Sequence, residues 1–156
     1  MPSAVIAVSD TRTPDTDTGG QRVADLLAAA GHPVAVRALV EDEPAAIAAA
    51  LRAALERADV NAVILTGGTG VAPRDITPDS VEPLLERVLP GFGELFRALS
   101  YQEVGSAALL SRALAGIAAG KVVFVIPGSR GAVQLAMQKL ILPELGHLAA
   151  ETVKTP

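Results

Sequence analysis

Asn61-Ala62-Val63-Ile64-Leu65-Thr66-Gly67-Gly68-Thr69-Gly70 decides how the chain is read. Its apolar run is short and rich in branched aliphatics, which suits a strand buried on both faces of a parallel sheet. The run enters a glycine cluster with no spacer. Glycine admits positive φ, and its missing side chain lets main-chain N–H groups come close to an anion. The same four residues would also serve as a plain strand-to-helix turn, because glycine clusters mark turns in general. Taken alone, Gly67, Gly68, Thr69 and Gly70 support either reading.

Two further segments repeat the arrangement. Ala4–Val8 opens into Ser9-Asp10-Thr11, and Lys121–Ile126 opens into Pro127-Gly128-Ser129. If the three strands are parallel, their loops share one rim, where open α/β sheets bind ligands. Between these strands the spacing turns helical. A loop over Thr13–Gly20 leads to a helix over Gln21–Ala30, closed by Gly31, and Pro33–Val40 alternates as a second strand. Asp42-Glu43-Pro44 begins a helix carrying Ile47, Leu51, Ala54 and Leu55 on one face, and one of the two acids is expected to cap it.

Thr77-Pro78-Asp79 begins another helix, with Thr77 as its cap, running to about Val88 and broken by Pro90-Gly91. Phe92–Glu103 then places Phe92, Leu95, Phe96 and Leu99 on one helical face. Ala113–Ala118 and Lys121–Ile126 read as a hairpin about Ala119-Gly120, although the Ala-rich first half could also extend a helix. Val133–Leu142 is helical, broken at Pro143, with a short last helix towards Ala150. Strands alternating with helices make residues 1–156 one α/β layered domain.

Composition narrows the function classes. Half the residues are hydrophobic but only 3% are aromatic, so the core is built from Ala, Val, Leu and Ile. Thirteen Lys and Arg against seventeen Asp and Glu give a net charge of −4, without the clustered cations of a nucleic-acid surface. With no Cys, disulfides, thiolate metal sites and Cys nucleophiles are excluded. His32 and His147 read as surface residues. Met1-Pro2-Ser3-Ala4 starts no leader pattern, and no apolar stretch reaches the ~18–20 residues of a membrane span. A cytoplasmic protein with no nucleic-acid or membrane partner is the expectation.

Beyond the glycines, Arg74-Asp75-Ile76-Thr77-Pro78 adds chemistry. Arg74 could pair with a phosphate. Asp75 could hold a metal ion, orient a ligand group or simply pair with Arg74. Asp42 follows the second strand, and Asp10, Asp15 and Asp17 raise the acidic density near the first loop. Carboxylates beside phosphate-binding glycines suggest Mg2+-dependent phosphate chemistry, because hard cations take oxygen ligands and a bare acidic cluster would repel an anion. Gly116–Val122 has neither the spacing nor the Ser or Thr of a P-loop, and Pro127–Gly131 is not a nucleophile elbow.

Five motifs occur in order: Gly67-Gly68-Thr69-Gly70, Arg74-Asp75-Ile76-Thr77-Pro78, Pro90-Gly91-Phe92-Gly93-Glu94, Leu110-Ser111-Arg112-Ala113 and Pro127-Gly128-Ser129. Together they resemble the MoaB/Mog family of molybdenum cofactor biosynthesis proteins over almost the whole chain, most closely its B branch. The resemblance implies a three-layer α/β/α molybdopterin-binding fold with a mostly parallel central sheet and a short antiparallel hairpin. It also implies a homo-oligomer, trimer or hexamer, and contact with other enzymes of the pathway. The implied activity is Mg2+-dependent adenylylation of molybdopterin by ATP, giving adenylyl-molybdopterin and pyrophosphate. The alternatives are a non-catalytic molybdopterin-binding or carrier protein and a structural oligomer with a vestigial cleft.

Residue by residue, Asp42 and Asp75 match the family's functional aspartates, expected to be catalytic and to position Mg2+ or a ligand group. Gly67–Gly70 match the phosphate and pterin loop, while Ser9, Asp10, Pro127, Gly128 and Ser129 match the pocket rims. Arg74 is kept beside Asp75. Ser111 and Arg112 match a further motif without an assigned role. Glu41 departs from the pattern, where the family often has Pro before the first Asp.

Overall fold

In the computed structural model, which describes residues 1–155, the glycine-flanked run is a central strand. The elements follow in the order β1 (Ser3–Val8), α1 (Thr18–Ala29), β2 (Val34–Val40), α2 (Pro44–Glu56), β3 (Ala62–Thr66) and α3 (Thr77–Val81). Then come β4 (Arg87–Val88), α4 (Pro90–Val104), β5 (Leu114–Ala118), β6 (Lys121–Ile126), α5 (Arg130–Ala136) and α6 (Leu142–Thr152). Six strands form one sheet in the order β2-β1-β3-β6-β5-β4. β2, β1, β3 and β6 are parallel, while β5 runs antiparallel to both β6 and β4.

Strand side chains alternate between two cores because successive Cβ atoms point to opposite faces. Val5, Ile64 and Phe124 stand in register across β1, β3 and β6. They pack with Val23 and Leu27 of α1, Phe96 of α4, Val133 of α5 and Leu145 of α6. Ile6, Leu65 and Val125 form the neighbouring row on the other face. That row packs with Ile47, Leu51 and Ala54 of α2 and Val81 of α3. Three layers result, as the family resemblance implies, within the α/β layered domain that the strand–helix alternation indicates. The few aromatics concentrate in one place, with the Phe92 ring 5.2 Å from that of Phe124 and edge-on to it.

Several expected boundaries move. Thr18–Gly20 belong to α1, because Asp17 caps that helix by accepting the Gly20 N–H at 2.9 Å. Neither Asp42 nor Glu43 caps α2 through its side chain. Glu43 holds the cap position, but its carboxylate turns to Arg74. Thr77 is the first residue of α3 rather than its cap. The helix expected to reach Val88 ends at Val81 and passes through a 3-10 turn, after which Arg87–Val88 pair with β5 as an edge strand. Pro90 starts α4 rather than separating it, which suits a residue with no N–H to contribute. Pro143 does not break the last helix. A π-helical turn over Met137–Ile141 rearranges the ladder just before it, and α6 continues from Leu142. On α4, Phe96 is buried but Leu95 is 57% exposed, so the expected apolar face is split.

The β5–β6 hairpin turns at Ala119 and Gly120, with φ of +49° and +69°. Two positive φ values define the turn type that prefers Asn-Gly. Ala119 is the one non-glycine residue with positive φ among the described residues. Asn tolerates this conformation better than Ala. Ala119→Asn should therefore stabilise the fold by about 0.5–1 kcal/mol, raising Tm by roughly 1–4 °C in a thermal unfolding experiment.

Candidate functional site

The site lies where the sheet changes direction. The chain leaves β1 for β2 on one side, then returns past β1 to β3 on the other. α1 covers one face and α2 the other, so a crevice opens at the carboxyl ends of β1 and β3, the usual ligand position in such sheets. The parallel pairing of β1, β3 and β6 brings the loops after Val8, Thr66 and Ile126 to one rim, as expected.

Gly67 and Gly68 adopt φ of +104° and +65°. A Cβ on Gly67 would overlap the Val8 carbonyl oxygen, so the glycine is required for the β3 turn to pass the end of β1. The Gly67 N–H is not available to a ligand, because it donates to the Ile126 carbonyl at 3.0 Å and extends the sheet. By contrast, the N–H groups of Gly68, Thr69 and Gly70 donate to no protein oxygen among the described residues. Unpartnered N–H groups of this kind are what an anion-binding loop requires.

Both expected aspartates flank this loop. A Cβ on Gly68 would meet Asp42 Oδ1 at 2.9 Å and would crowd Thr77 Oγ1, and one on Gly70 would meet Asp75 Oδ2 at 2.7 Å. Thr77 is fully buried, and its Oγ1 has no hydrogen-bond partner. A hydroxyl so placed beside a carboxylate and a bare glycine makes Thr77 a candidate site residue, where the sequence reads it as a helix cap. Asp75 accepts the Ala72 N–H at 2.9 Å, and its own N–H donates back to Ala72. Burial, and then the charge of Asp10, push the Asp42 carboxyl above the ordinary carboxylate value, and Asp75 adds to the effect. The Asp10 main chain and Arg74 oppose it.

Arg74 does not pair with Asp75, its neighbour. It crosses to Asp10 and to Glu43, with its Nη2 donating at 2.9 Å to Glu43 Oε1 and at 3.1 Å to the Asp42 carbonyl. Hydrogen bonds from Arg74, and then the Asp42 N–H, hold Asp10 below the ordinary carboxylate value. Arg112 fixes the loop from the opposite side. Its N–H donates to Thr69 O at 3.0 Å, its Nε to Gly70 O at 2.8 Å, and its guanidinium also reaches the Asp75 carbonyl and the Asp79 carboxylate. The Ser111-Arg112 motif thus shapes the glycine loop.

Of the other predicted residues, Ser9, Gly128 and Ser129 line a neighbouring compartment, and Asp10 and Pro127 do not. Ser9, Arg12, Thr18, Gly67, Gly128 and Ser129 surround a cavity of about 280 Å3. Ser9 Oγ accepts the N–H groups of Thr11 and Arg12, while Ser129 caps α5 by accepting the Ala132 N–H. The Pro127 carbonyl accepts the Thr66 hydroxyl at 3.1 Å. Asp17 leaves the acidic group altogether, being 7% exposed and paired with Arg37 at 3.0 Å. Among the described residues no three His, Cys, Asp or Glu side chains gather into a ready metal cage. Mg2+ seldom needs one, since one or two carboxylates plus substrate phosphates and water usually hold it. Asp42 and Asp75, with Thr77 Oγ1 still unpartnered, fit that donor set.

Comparison with known proteins identifies the family. The profile of a family described as "Probable molybdopterin binding domain" matches residues 4–147. The chain is 53% identical over 155 residues to molybdenum cofactor biosynthesis protein B of Staphylococcus aureus, covering 97% of this chain and 92% of that one. Its identity to the protein of the same name from Halalkalibacterium halodurans is 50% over 151 residues, 96% of this chain and 89% of the other. A crystal structure of a molybdenum cofactor biosynthesis protein B superposes with a TM-score of 0.94 at 48% identity, covering 97% and 95% of the two chains.

The glycine turn offers a direct check. Gly31 also has positive φ, +79°, but a Cβ there would meet nothing within 4 Å. Gly31→Ala should cost about 1–2 kcal/mol, the strain alone. Gly67→Ala adds the overlap with Val8 and should cost about 3 kcal/mol or more. Urea unfolding of the two variants measures the difference.

Proposed function

The chain belongs to the family of probable molybdopterin-binding domains, and from that premise we propose that it works in molybdenum cofactor biosynthesis by transferring the adenylyl group of ATP to molybdopterin. One observation carries the reading. Two carboxylates and an unpartnered buried hydroxyl surround a glycine loop whose free N–H groups suit phosphate.

In the reaction, an oxygen of the molybdopterin phosphate attacks the α-phosphorus of ATP. The new P–O bond forms as the bond from the α-phosphorus to the bridging oxygen breaks, and pyrophosphate leaves. Gly68, Thr69 and Gly70 would donate N–H groups to phosphate oxygens, aligning the two substrates. Asp42 and Asp75 would hold Mg2+, with Thr77 Oγ1 donating to one of its waters or to a phosphate. Mg2+ bound there supplies charge neutralisation for the crowded phosphates. The cavity along Ser9, Gly128 and Ser129 continues the same rim and would take the second substrate.

The chain would act as a homo-oligomer, trimer or hexamer. Leu95, Tyr101, Val104, Leu109 and Leu110 are exposed on α4 and the turn after it, with Leu109 84% exposed. An apolar cavity of about 340 Å3 opens beside Leu89, Phe92, Leu95 and Leu148. Apolar surface of that extent suits a subunit contact. Contact with other enzymes of the pathway is part of the same proposal. Among the described residues no helix is long and apolar enough to cross a membrane.

Incubation with molybdopterin and MgATP should yield adenylyl-molybdopterin and pyrophosphate. Pterin binding without product would favour a carrier instead. Asp42→Asn and Asp75→Asn should each lower turnover by about 100-fold or more. For Asp42 the sign of the stability effect follows from its raised carboxyl. The folded state binds the proton more tightly than the unfolded chain, so stability falls as pH rises through that window. Removing the charge by Asp42→Asn should therefore leave Tm at pH 7 unchanged or higher while turnover is lost. A lowered Tm in parallel with lost turnover would mark Asp42 as structural.

A further inference from the structure

Asp42 is held by its main chain at both ends. Its N–H donates to Asp10 Oδ1 at 2.9 Å, and its carbonyl accepts from Arg74 Nη2 at 3.1 Å. Asp10 and Arg74 are themselves joined by two hydrogen bonds, from Nε to Oδ2 and from Nη2 to Oδ1. Arg74 also reaches Glu43, the residue after Asp42. Three loops meet in this cluster: those following β1, β2 and β3. Moreover, Arg74 directly precedes Asp75 in the chain, so the guanidinium that grips the Asp42 segment is covalently tied to the second aspartate.

We infer that Asp10 and Arg74, with Glu43, form a positioning clamp that sets Asp42 relative to Asp75. The inference rests on the adenylyl-transfer reading for its kinetic consequence, though not for its geometry. Arg74 turns Nε and Nη2 to four protein oxygens: both of Asp10, one of Glu43 and the Asp42 carbonyl. Turning Nη2 to a triphosphate would break its contact with Asp42. The planar fork matters too, because Nε and Nη2 make the paired contact while Nη2 also spans to Asp42 and Glu43. Lys is a point donor that cannot reproduce it. The cluster is also solvent-exposed, with Arg74 59% exposed, so an ion pair alone would contribute little to stability. Its effect belongs in the placement of Asp42.

Two measurements decide the matter, and the first needs no activity. In the ligand-free protein, amide hydrogen exchange at Asp42 should be slow. Asp10→Ala removes the acceptor and should speed it by about tenfold or more, whereas Asp10→Asn keeps an oxygen acceptor and should retain most of the protection. Unchanged exchange at Asp42 in Asp10→Ala overturns the clamp. If Asp10→Ala does not fold, Arg74→Met is read at the same amide, since loss of the Asp42 carbonyl contact should also raise its exchange.

The second measurement is kinetic. Arg74→Met and Arg74→Lys should both lower kcat about 10- to 100-fold with KM for MgATP within about 2-fold of the parent. A rise in KM with kcat kept, or full activity of Arg74→Lys, assigns Arg74 to phosphate and overturns the clamp. If the parent protein forms no adenylyl-molybdopterin, the reaction reading fails, and the exchange measurement still decides the clamp by itself.

Discussion

Everything at the site follows from how close the turn after β3 passes to the end of β1. The two strands are parallel neighbours, so their carboxyl ends emerge side by side. The β3 turn then has to clear the Val8 carbonyl, which it does only because Gly67 lacks a Cβ and can take a φ of +104°. With that passage made, Gly67 spends its N–H on Ile126 and anchors the loop to β6, leaving the next three N–H groups without a protein acceptor among the described residues. The aspartates take their places around this loop, one delivered by the end of β2 and the other by the approach to α3.

Much of the architecture was legible because it is written in short-range chemistry. Aliphatic runs that end in polar or glycine-rich segments marked β1, β3 and β6, and the parallel order then put their loops on one rim. The misplacements share a cause, since each depends on a tertiary partner. Arg87–Val88 has no strand pattern of its own and becomes β4 only because β5 offers an open edge. Val81 ends α3 where the chain must turn towards that edge. Pro143 looked like a helix stop, yet the packing of Met137, Ile141 and Leu145 against the sheet carries the helix through a π-helical turn.

At the site, residue type was a better guide than pairing. Asp42, Asp75 and the glycine loop came together as the residue pattern and family resemblance implied. The partners of Arg74 did not, because a guanidinium adjacent to Asp75 in sequence reaches instead across the rim to Asp10 and Glu43. Asp17 looked like part of the acidic group and is consumed by a helix cap and Arg37. Thr77 entered the sequence reading only as a helix cap and as one position of the Arg74–Pro78 motif. Its importance lies in what its hydroxyl lacks, which only three-dimensional accounting of hydrogen bonds reveals.

The adenylyl-transfer reading asks a chain with a net charge of −4 to take two phosphate-bearing substrates, which poses an electrostatic problem that the local arrangement bears on. Global charge governs long-range approach, whereas a bound phosphate feels the dipoles and ions beside it. Arg74 turns Nε and Nη2 to Asp10, Glu43 and the Asp42 carbonyl, and Arg112 is taken up by the glycine loop and Asp79. Under the adenylyl-transfer reading, the neutral N–H groups of the glycine loop would do much of the cradling. Asp42 and Asp75 add negative charge where the triphosphate would lie, and Asp42 already carries a raised carboxyl from burial and from Asp10. Carboxylates and phosphates are both poorly placed without a cation and both well placed with one. Under the same reading the acidic pair would make nucleotide binding conditional on a divalent ion, so that the triphosphate would be accepted in its metal-bound form and the bare anion disfavoured by the same charges.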